Sequence, residues 1–167
     1  MLISLLKGPP YNLFVEPHVE RDGYQTIVPI AGTEDALLVV SVVSSLVKGH
    51  VPDGSYWDFA FLITVDFLNG GGEPFRTADR QIAAEFIPDG SRGEVMEVVR
   101  QSLCSLVETA KPLFVGGVAF EQHSILGAVR KYYFLINALE ALGYLLERTD
   151  IDSGGRRFWV LRRGTGT

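Results

Sequence analysis

Hydrophobic and polar residues alternate along residues 56–68, and this period of two predicts a long β-strand. One face of the predicted strand carries Phe59, Phe61, Ile63, Val65 and Phe67. The glycines at 70–72 interrupt the pattern, and an extended pattern resumes over residues 80–87. We therefore predict that these two strands pair as a hairpin.

Two segments show helical spacing with clear ends. Apolar residues over 91–111 recur with a period of 3.6, and Pro112 stops that pattern. Ser124 is a suitable N-cap for a second helix that runs to about residue 142, with Gly143 just beyond its end. Both segments are predicted to be α-helices.

Residues 34–48 carry conflicting signals. Thr33 offers an N-cap, acidic residues follow it, and Gly49 can end a helix. The valines at 39, 40, 42 and 43 argue against a helix, because β-branched side chains lose rotamer freedom there. The end signals lead us to predict a helix.

Turn residues predict two further hairpins. Asp22-Gly23 separates two extended runs, residues 11–20 and 24–30, and this dipeptide is a strong hairpin signal. Residues 144–149 and 156–163 flank the turn-forming residues 150–155 near the end of the sequence. A short strand over residues 112–120, interrupted by its two glycines, completes the predicted elements.

These elements predict an α+β fold with helices on one side of a mostly antiparallel sheet. The order over residues 24–120 is β-α-β-β-α-β, which is the ferredoxin-like order. The length favours one domain over residues 1–167, with a core at about 11–120 and a helix-hairpin appendage at about 124–163. An alternative interpretation takes residues 11–48 and 55–111 as two β-β-α units. Neither order selects a function.

Composition bears on the core, the redox compartment and membrane association of the protein. Hydrophobic residues make up 47% of the chain, which is enough to build a core. Cys104 is the only cysteine, so no disulfide can form within the chain, and a reducing compartment is expected. The longest apolar stretch, residues 36–47, is shorter than the roughly 18–20 residues that a membrane span needs. We expect a soluble, cytoplasmic protein without a membrane partner.

Charge is distributed unevenly along the sequence. Residues 1–127 carry 8 Lys and Arg against 16 Asp and Glu, a net −8, whereas residues 128–167 carry 7 against 4, a net +3. The acidic part repels phosphate backbones. Nucleic-acid contact is therefore the third-ranked function, confined to the basic hairpin near the end of the sequence.

Motifs with a known mechanism are missing from the sequence. It has no phosphate loop ending in Gly-Lys-Ser/Thr, no nucleophile elbow and no His-Glu-x-x-His. We predict no catalytic residue, no metal and no cofactor, and the balance leans against an enzyme.

The predicted helix over 124–142 has an unusual outer face. Tyr133 and Phe134 lie on it beside Arg130 and Asn137, and the last hairpin adds Trp159 and Arg157. Either the hairpin covers the two helix aromatics, or they form an interface, where aromatic residues are enriched. The leading hypothesis is a non-enzymatic binding or regulatory domain, inhibitor-like or immunity-like, that contacts a protein partner or forms a homodimer.

A small-molecule site is the alternative. An apolar pocket between the sheet and the last helix would be lined by Trp57, Tyr132 and Tyr133, with His50 or His123 supplying polarity. Such a pocket would suit a ligand sensor or a small enzyme.

Overall fold

The computed structural model describes residues 2–35, 37–50, 54–67, 75–77, 85–87, 90–119, 125–151 and 156–165. Within them lie nine strands: β1 Leu2–Ser4, β2 Glu16–Pro17, β3 Gly23–Thr33, β4 Leu38–Lys48, β5 Tyr56–Phe67, β6 Phe75–Thr77, β7 Phe114–Ala119, β8 Tyr144–Ile151 and β9 Arg157–Arg163. The same residues form two helices, α1 Arg92–Ala110 and α2 Ile125–Ala141. Neither helix in this described part is long and apolar enough to cross a membrane.

The strands form one sheet in the order β1-β3-β4-β5-β7-β9-β8, with β2 added to β3 and β6 added to β5. Among the pairs with a defined register, β5 with β7 is parallel and the others are antiparallel. A parallel neighbour requires a crossover connection, and α1 lies in that connection. The predicted α+β class with a mostly antiparallel sheet is confirmed.

The helix predicted over residues 34–48 is wrong, because β4 occupies Leu38–Lys48. Val40 and Val42 are fully buried there, as β-branched side chains suit a strand in the interior of a sheet. The Thr33 hydroxyl accepts a hydrogen bond from the Leu38 backbone N–H at 3.1 Å, so it closes a turn instead of capping a helix. The ferredoxin-like order and the two β-β-α units both required this helix, and neither is confirmed.

The strand prediction for residues 56–68 is confirmed by β5, but its apolar side chains are not buried along its whole length. Trp57 and Phe59 are buried, whereas Phe61 is 37% exposed. β6 pairs with the end of β5, with Val65 opposite Thr77. The return strand predicted over 80–87 is not strand at 85–87. Residues 80–84 lie outside the described residues.

The two hairpins predicted from turn residues differ in how much of their strands the structure contains. β8 and β9 confirm the hairpin near the end of the sequence. At Asp22-Gly23 the first strand is only the two residues of β2, with Pro17 opposite Tyr24. The chain reversal is confirmed, but it spans residues 18–22 and Gly23 is already the first residue of β3. Little of the extended run over residues 11–20 is strand.

Contacts between Cα atoms divide the chain into two compact units. The first comprises Met1–Phe14, Thr26–Ser44 and Phe61–Ser102, and the second comprises Val15–Gln25, Ser45–Ala60 and Leu103–Thr167. Buried side chains of the first unit include Val28, Ile30, Val40, Val42, Val98 and Val99. Those of the second include Leu46, Leu103, Leu106, Leu135, Leu139 and Leu161.

Helix α1 follows the predicted apolar stripe and carries an ion pair on another face. Glu97 accepts hydrogen bonds from Arg100 at 2.8 Å and from the Gln101 amide at 3.0 Å. The Gln101 side-chain oxygen in turn accepts from the Tyr11 backbone N–H at 3.1 Å. Hydrogen bonding from Arg100, followed by Gln101, lowers the pKa of Glu97 against an opposing effect of desolvation.

Replacing Glu97 with glutamine is expected to lower the free energy of unfolding by up to about 1 kcal/mol at neutral pH. Since the folded pKa lies below the ordinary value of 4.5, the contribution of the carboxylate is complete above that value. It is lost as the pH falls through the lowered folded pKa. Urea unfolding of both proteins across this range measures the difference, which should shrink at low pH.

Glu108→Gln, at an exposed position on the same helix, is the matched control and should have little effect at any pH. A Glu97→Gln difference that stays constant from neutral to acidic pH would contradict the proposed role of the charge.

Candidate functional site

Helix α2 runs directly into the terminal hairpin. Gly143 has a φ of +86°, a left-handed conformation that glycine adopts without strain, and β8 starts at the next residue. The backbone N–H groups of Leu142 and Gly143 donate to the carbonyls of Leu139 and Glu140 at 3.0 and 2.9 Å. This tight ending reverses the chain, and α2 contacts β8.

Two hydrogen bonds fix the base of the hairpin. The Tyr144 hydroxyl donates to the Pro112 carbonyl at 2.8 Å, and the Arg163 backbone N–H donates to the Leu113 carbonyl at 2.8 Å. Burial raises the pKa of Tyr144, and the nearby Arg163 charge acts in the opposite direction. The start of β8 and the end of β9 are therefore both held to the segment that precedes β7.

The two glycines of β7 give space to aromatic side chains from its two neighbours. The Tyr56 side chain of β5 lies against Gly116 and occupies the space that a Cβ at position 116 would need. Gly117 pairs with Trp159 of β9, and a Cβ there would lie 2.6 Å from Cζ2 of the indole. The sequence predicts that the glycines interrupt the strand, but both lie within β7, and Gly117 leaves room for the Trp159 indole.

The parallel ladder of β5 and β7 is short. It joins Tyr56 with Phe114, Trp57 with Val115 and Asp58 with Gly116. Both strands continue beyond this last pair, and a Cβ on Gly117 would lie 3.2 Å from the Phe59 carbonyl oxygen. Trp159 thus covers the strand at the point where the described ladder ends.

A hollow lies between α2 and the hairpin, and we call it the helix–hairpin hollow. Its interior holds about 20 Å³, room for about one water molecule, within about 310 Å³ that includes open solvent. It is lined by Tyr132, Tyr133, Ile136, Thr149, Arg157, Phe158 and Trp159. A bound molecule larger than water would therefore extend into the open mouth of the hollow.

Two of the polar side chains that line the hollow, those of Trp159 and Arg157, can only donate hydrogen bonds. Trp159 is 3% exposed, and its indole N–H has no hydrogen-bond partner within the described chain. Arg157 contributes a permanent positive charge, and Thr149, Tyr132 and Tyr133 contribute hydroxyls. This set suits a ligand that presents acceptor atoms.

The residues predicted to form an interface are placed differently from one another. Tyr133 and Phe134 are 54% and 38% exposed, and Asn137 is exposed beside them. Trp159 is buried, and Arg157 is half-buried in the hollow. Arg130 lies on α2, but its side chain is outside the described part.

Of the predicted pocket residues that the structure describes, Tyr132 and Tyr133 line the helix–hairpin hollow. Trp57 lies elsewhere, stacked on Tyr24 with ring centres 6.3 Å apart and with the Lys48 ammonium 5.7 Å from its ring centre. His50 is exposed, and His123 lies outside the described residues.

Sequence reasoning missed Thr149 and the role of Gly117. Thr149 lies directly opposite Trp159 in the β8–β9 ladder, and Gly117 lies opposite Trp159 on the other side. A glycine pair in a strand between two aromatic-bearing strands is a signal of close packing that the sequence did contain.

Fold and site together define an α+β protein with a donor-lined hollow between its last helix and its last hairpin. Comparison with protein-family models finds no match, and comparisons with curated proteins and with solved structures find none either. In the described part of the chain, no three His, Cys, Asp or Glu side chains are grouped so as to hold a metal ion.

Proposed function

We propose that this protein binds a small organic ligand in the helix–hairpin hollow. The ligand class combines an apolar or aromatic body with a hydrogen-bond acceptor, and a carboxylate is the acceptor that suits the site best. Ligand binding was the second-ranked function from sequence, and the arrangement of donors in the hollow now favours it.

The observation that carries the proposal is the unpartnered indole N–H of Trp159. Leaving a buried donor without an acceptor costs about 1–3 kcal/mol, and a hydroxyl can rotate to find a partner whereas an indole N–H cannot. A ligand acceptor within reach of Nε1 would remove that cost.

The charge and surface of the hollow define the ligand further. Arg157 is always protonated and its guanidinium favours carboxylate oxygens. Ile136, Phe158 and the rings of Tyr132 and Tyr133 supply apolar surface for the body of the ligand. Small-molecule sites in general combine a mostly apolar lining with a few convergent polar groups.

Three probes of this class test the proposal: benzoate, 3-phenylpropanoate and hexanoate. Trp57→Phe leaves Trp159 as the only tryptophan, so its fluorescence reports on the hollow. We expect a saturable change for at least one probe, with a Kd below about 10 mM given its few heavy atoms. Arg157→Gln should weaken that binding about tenfold or more, because a charge-assisted hydrogen bond is lost.

Arg156→Gln is the matched control, since Arg156 is the neighbouring arginine and does not line the hollow. It should leave the Kd within about twofold, because its side chain does not line the hollow and its charge acts only through salt-screened solvent. Failure of all three probes, or equal weakening by the two arginine variants, would contradict the proposal.

A second candidate function, contact with another protein molecule, is favoured by the exposure of Tyr133 and Phe134. Two adjacent exposed aromatics are typical of interfaces. If a second copy covers them, Tyr133→Ser with Phe134→Ser converts an oligomer into a folded monomer. Light scattering during size-exclusion chromatography measures the mass, and circular dichroism checks folding. A native monomer would contradict this candidate.

A further inference from the structure

Strand β8 is the last strand of the sheet order and pairs with β9 alone within the described residues. All of its side chains after Tyr144 are exposed. The outer edge of such a strand presents a row of backbone N–H and C=O groups that can pair with another strand. β8 is therefore available for extension of the sheet.

The charges on β8 favour one register of pairing with a second β8 strand and disfavour the registers shifted by one residue. Arg148 and Asp150 lie on one face and are joined by an ion pair of 2.8 Å, with Thr149 between them on the other face. If two β8 strands run antiparallel with Thr149 opposite Thr149, each Arg148 faces the Asp150 of the other copy. Moving the centre by one residue places Arg148 opposite Arg148, or Asp150 opposite Asp150. Opposite charges across a strand pair stabilise it, and like charges destabilise it.

We propose that two copies of this chain associate through antiparallel pairing of their β8 strands, centred on Thr149. The arrangement is isologous, because the same edge of each copy contacts the other, and it closes as a dimer. Glu147 is the extra residue of a bulge in β8, so the regular pairing extends over the residues that follow it. The proposal rests on the second candidate function in taking another copy as the partner, and it names a different surface from the exposed helix aromatics.

Charge reversal in two separate proteins tests the register. Arg148→Asp places Asp opposite Asp in a dimer, and Asp150→Arg places Arg opposite Arg. We expect the native protein to be a dimer by light scattering and each variant to be a monomer. Mixed in equal amounts, the two variants should form a heterodimer, because both cross-strand pairs are then of opposite charge.

Folding of the variants is not at risk, because the Arg148–Asp150 pair within one chain is exposed and such pairs contribute little stability. Glu108→Arg, a charge reversal at an exposed site on α1, is the control and should stay dimeric. A native monomer, or a mixture of the two variants that stays monomeric, would overturn the proposal. If the Tyr133 and Phe134 double variant is monomeric while both charge variants stay dimeric, the helix surface is the interface and the β8 pairing is overturned.

Discussion

Replacing Leu161 with alanine is expected to lower the free energy of unfolding by about 2–5 kcal/mol, the range for a fully buried leucine. Leu161 is 0% exposed and lies in β9 between Val115 of β7 and Leu146 of β8. Truncation leaves a cavity that the paired backbones on both sides cannot close. Urea unfolding followed by circular dichroism measures the change.

Leu145→Ala is the matched control, because Leu145 belongs to the same hairpin but is 55% exposed. This substitution should change the free energy of unfolding by no more than about 0.5 kcal/mol, as most surface substitutions do. Equal costs for the two leucines would show that β9 is not packed as described.

Replacing Gly116 with alanine is the second substitution with a large expected effect. The new methyl group would occupy the space of the Tyr56 ring, which packs between Gly116 and Gly49. Tyr56 is held there by burial and by a hydrogen bond with Asp58, both of which raise its pKa. Overpacking of this kind costs about 1–3 kcal/mol, and more where the backbone cannot move.

Gly93→Ala provides the comparison, since no atom lies within 4 Å of a Cβ at that position on α1. It should be neutral or stabilising by up to about 1 kcal/mol through helix propensity. A second test combines Gly116→Ala with Tyr56→Leu, and the pair should cost less than the sum of the single changes. Additive costs would contradict direct contact between the two residues.

Much of the fold follows from hydrophobic periodicity and from residues that end helices. The stripe of α1, the stop at Pro112, the glycine after α2 and the terminal hairpin all depend on local signals, and each was predictable. Strand β4 was not predictable, because Thr33 before it and Gly49 after it favour a helix whereas its valines favour a strand. Burial within a sheet decided between them, and burial is set by residues distant in sequence.

The candidate site was predictable only in part. Tyr132, Tyr133, Arg157 and Trp159 were singled out from sequence, and all four line the hollow. That they lie together depends on two strand registers, which place Trp159 opposite both Gly117 and Thr149. Register is a tertiary property that hydrophobic patterning does not specify residue by residue. Trp57 was wrongly grouped with Tyr132 because the sequence does not show the register. In the structure Trp57 stacks on Tyr24, away from the hollow.

The most direct test of ligand binding in the helix–hairpin hollow follows the indole N–H of Trp159 itself. The chain has two tryptophans, so a proton–nitrogen correlation spectrum contains two indole signals, and Trp57→Phe assigns them. On titration with 3-phenylpropanoate, the Trp159 signal should shift saturably, in the direction of a stronger hydrogen bond, while the Trp57 signal stays fixed. An unmoved Trp159 signal, or equal and unsaturated shifts of both, would contradict binding at this site.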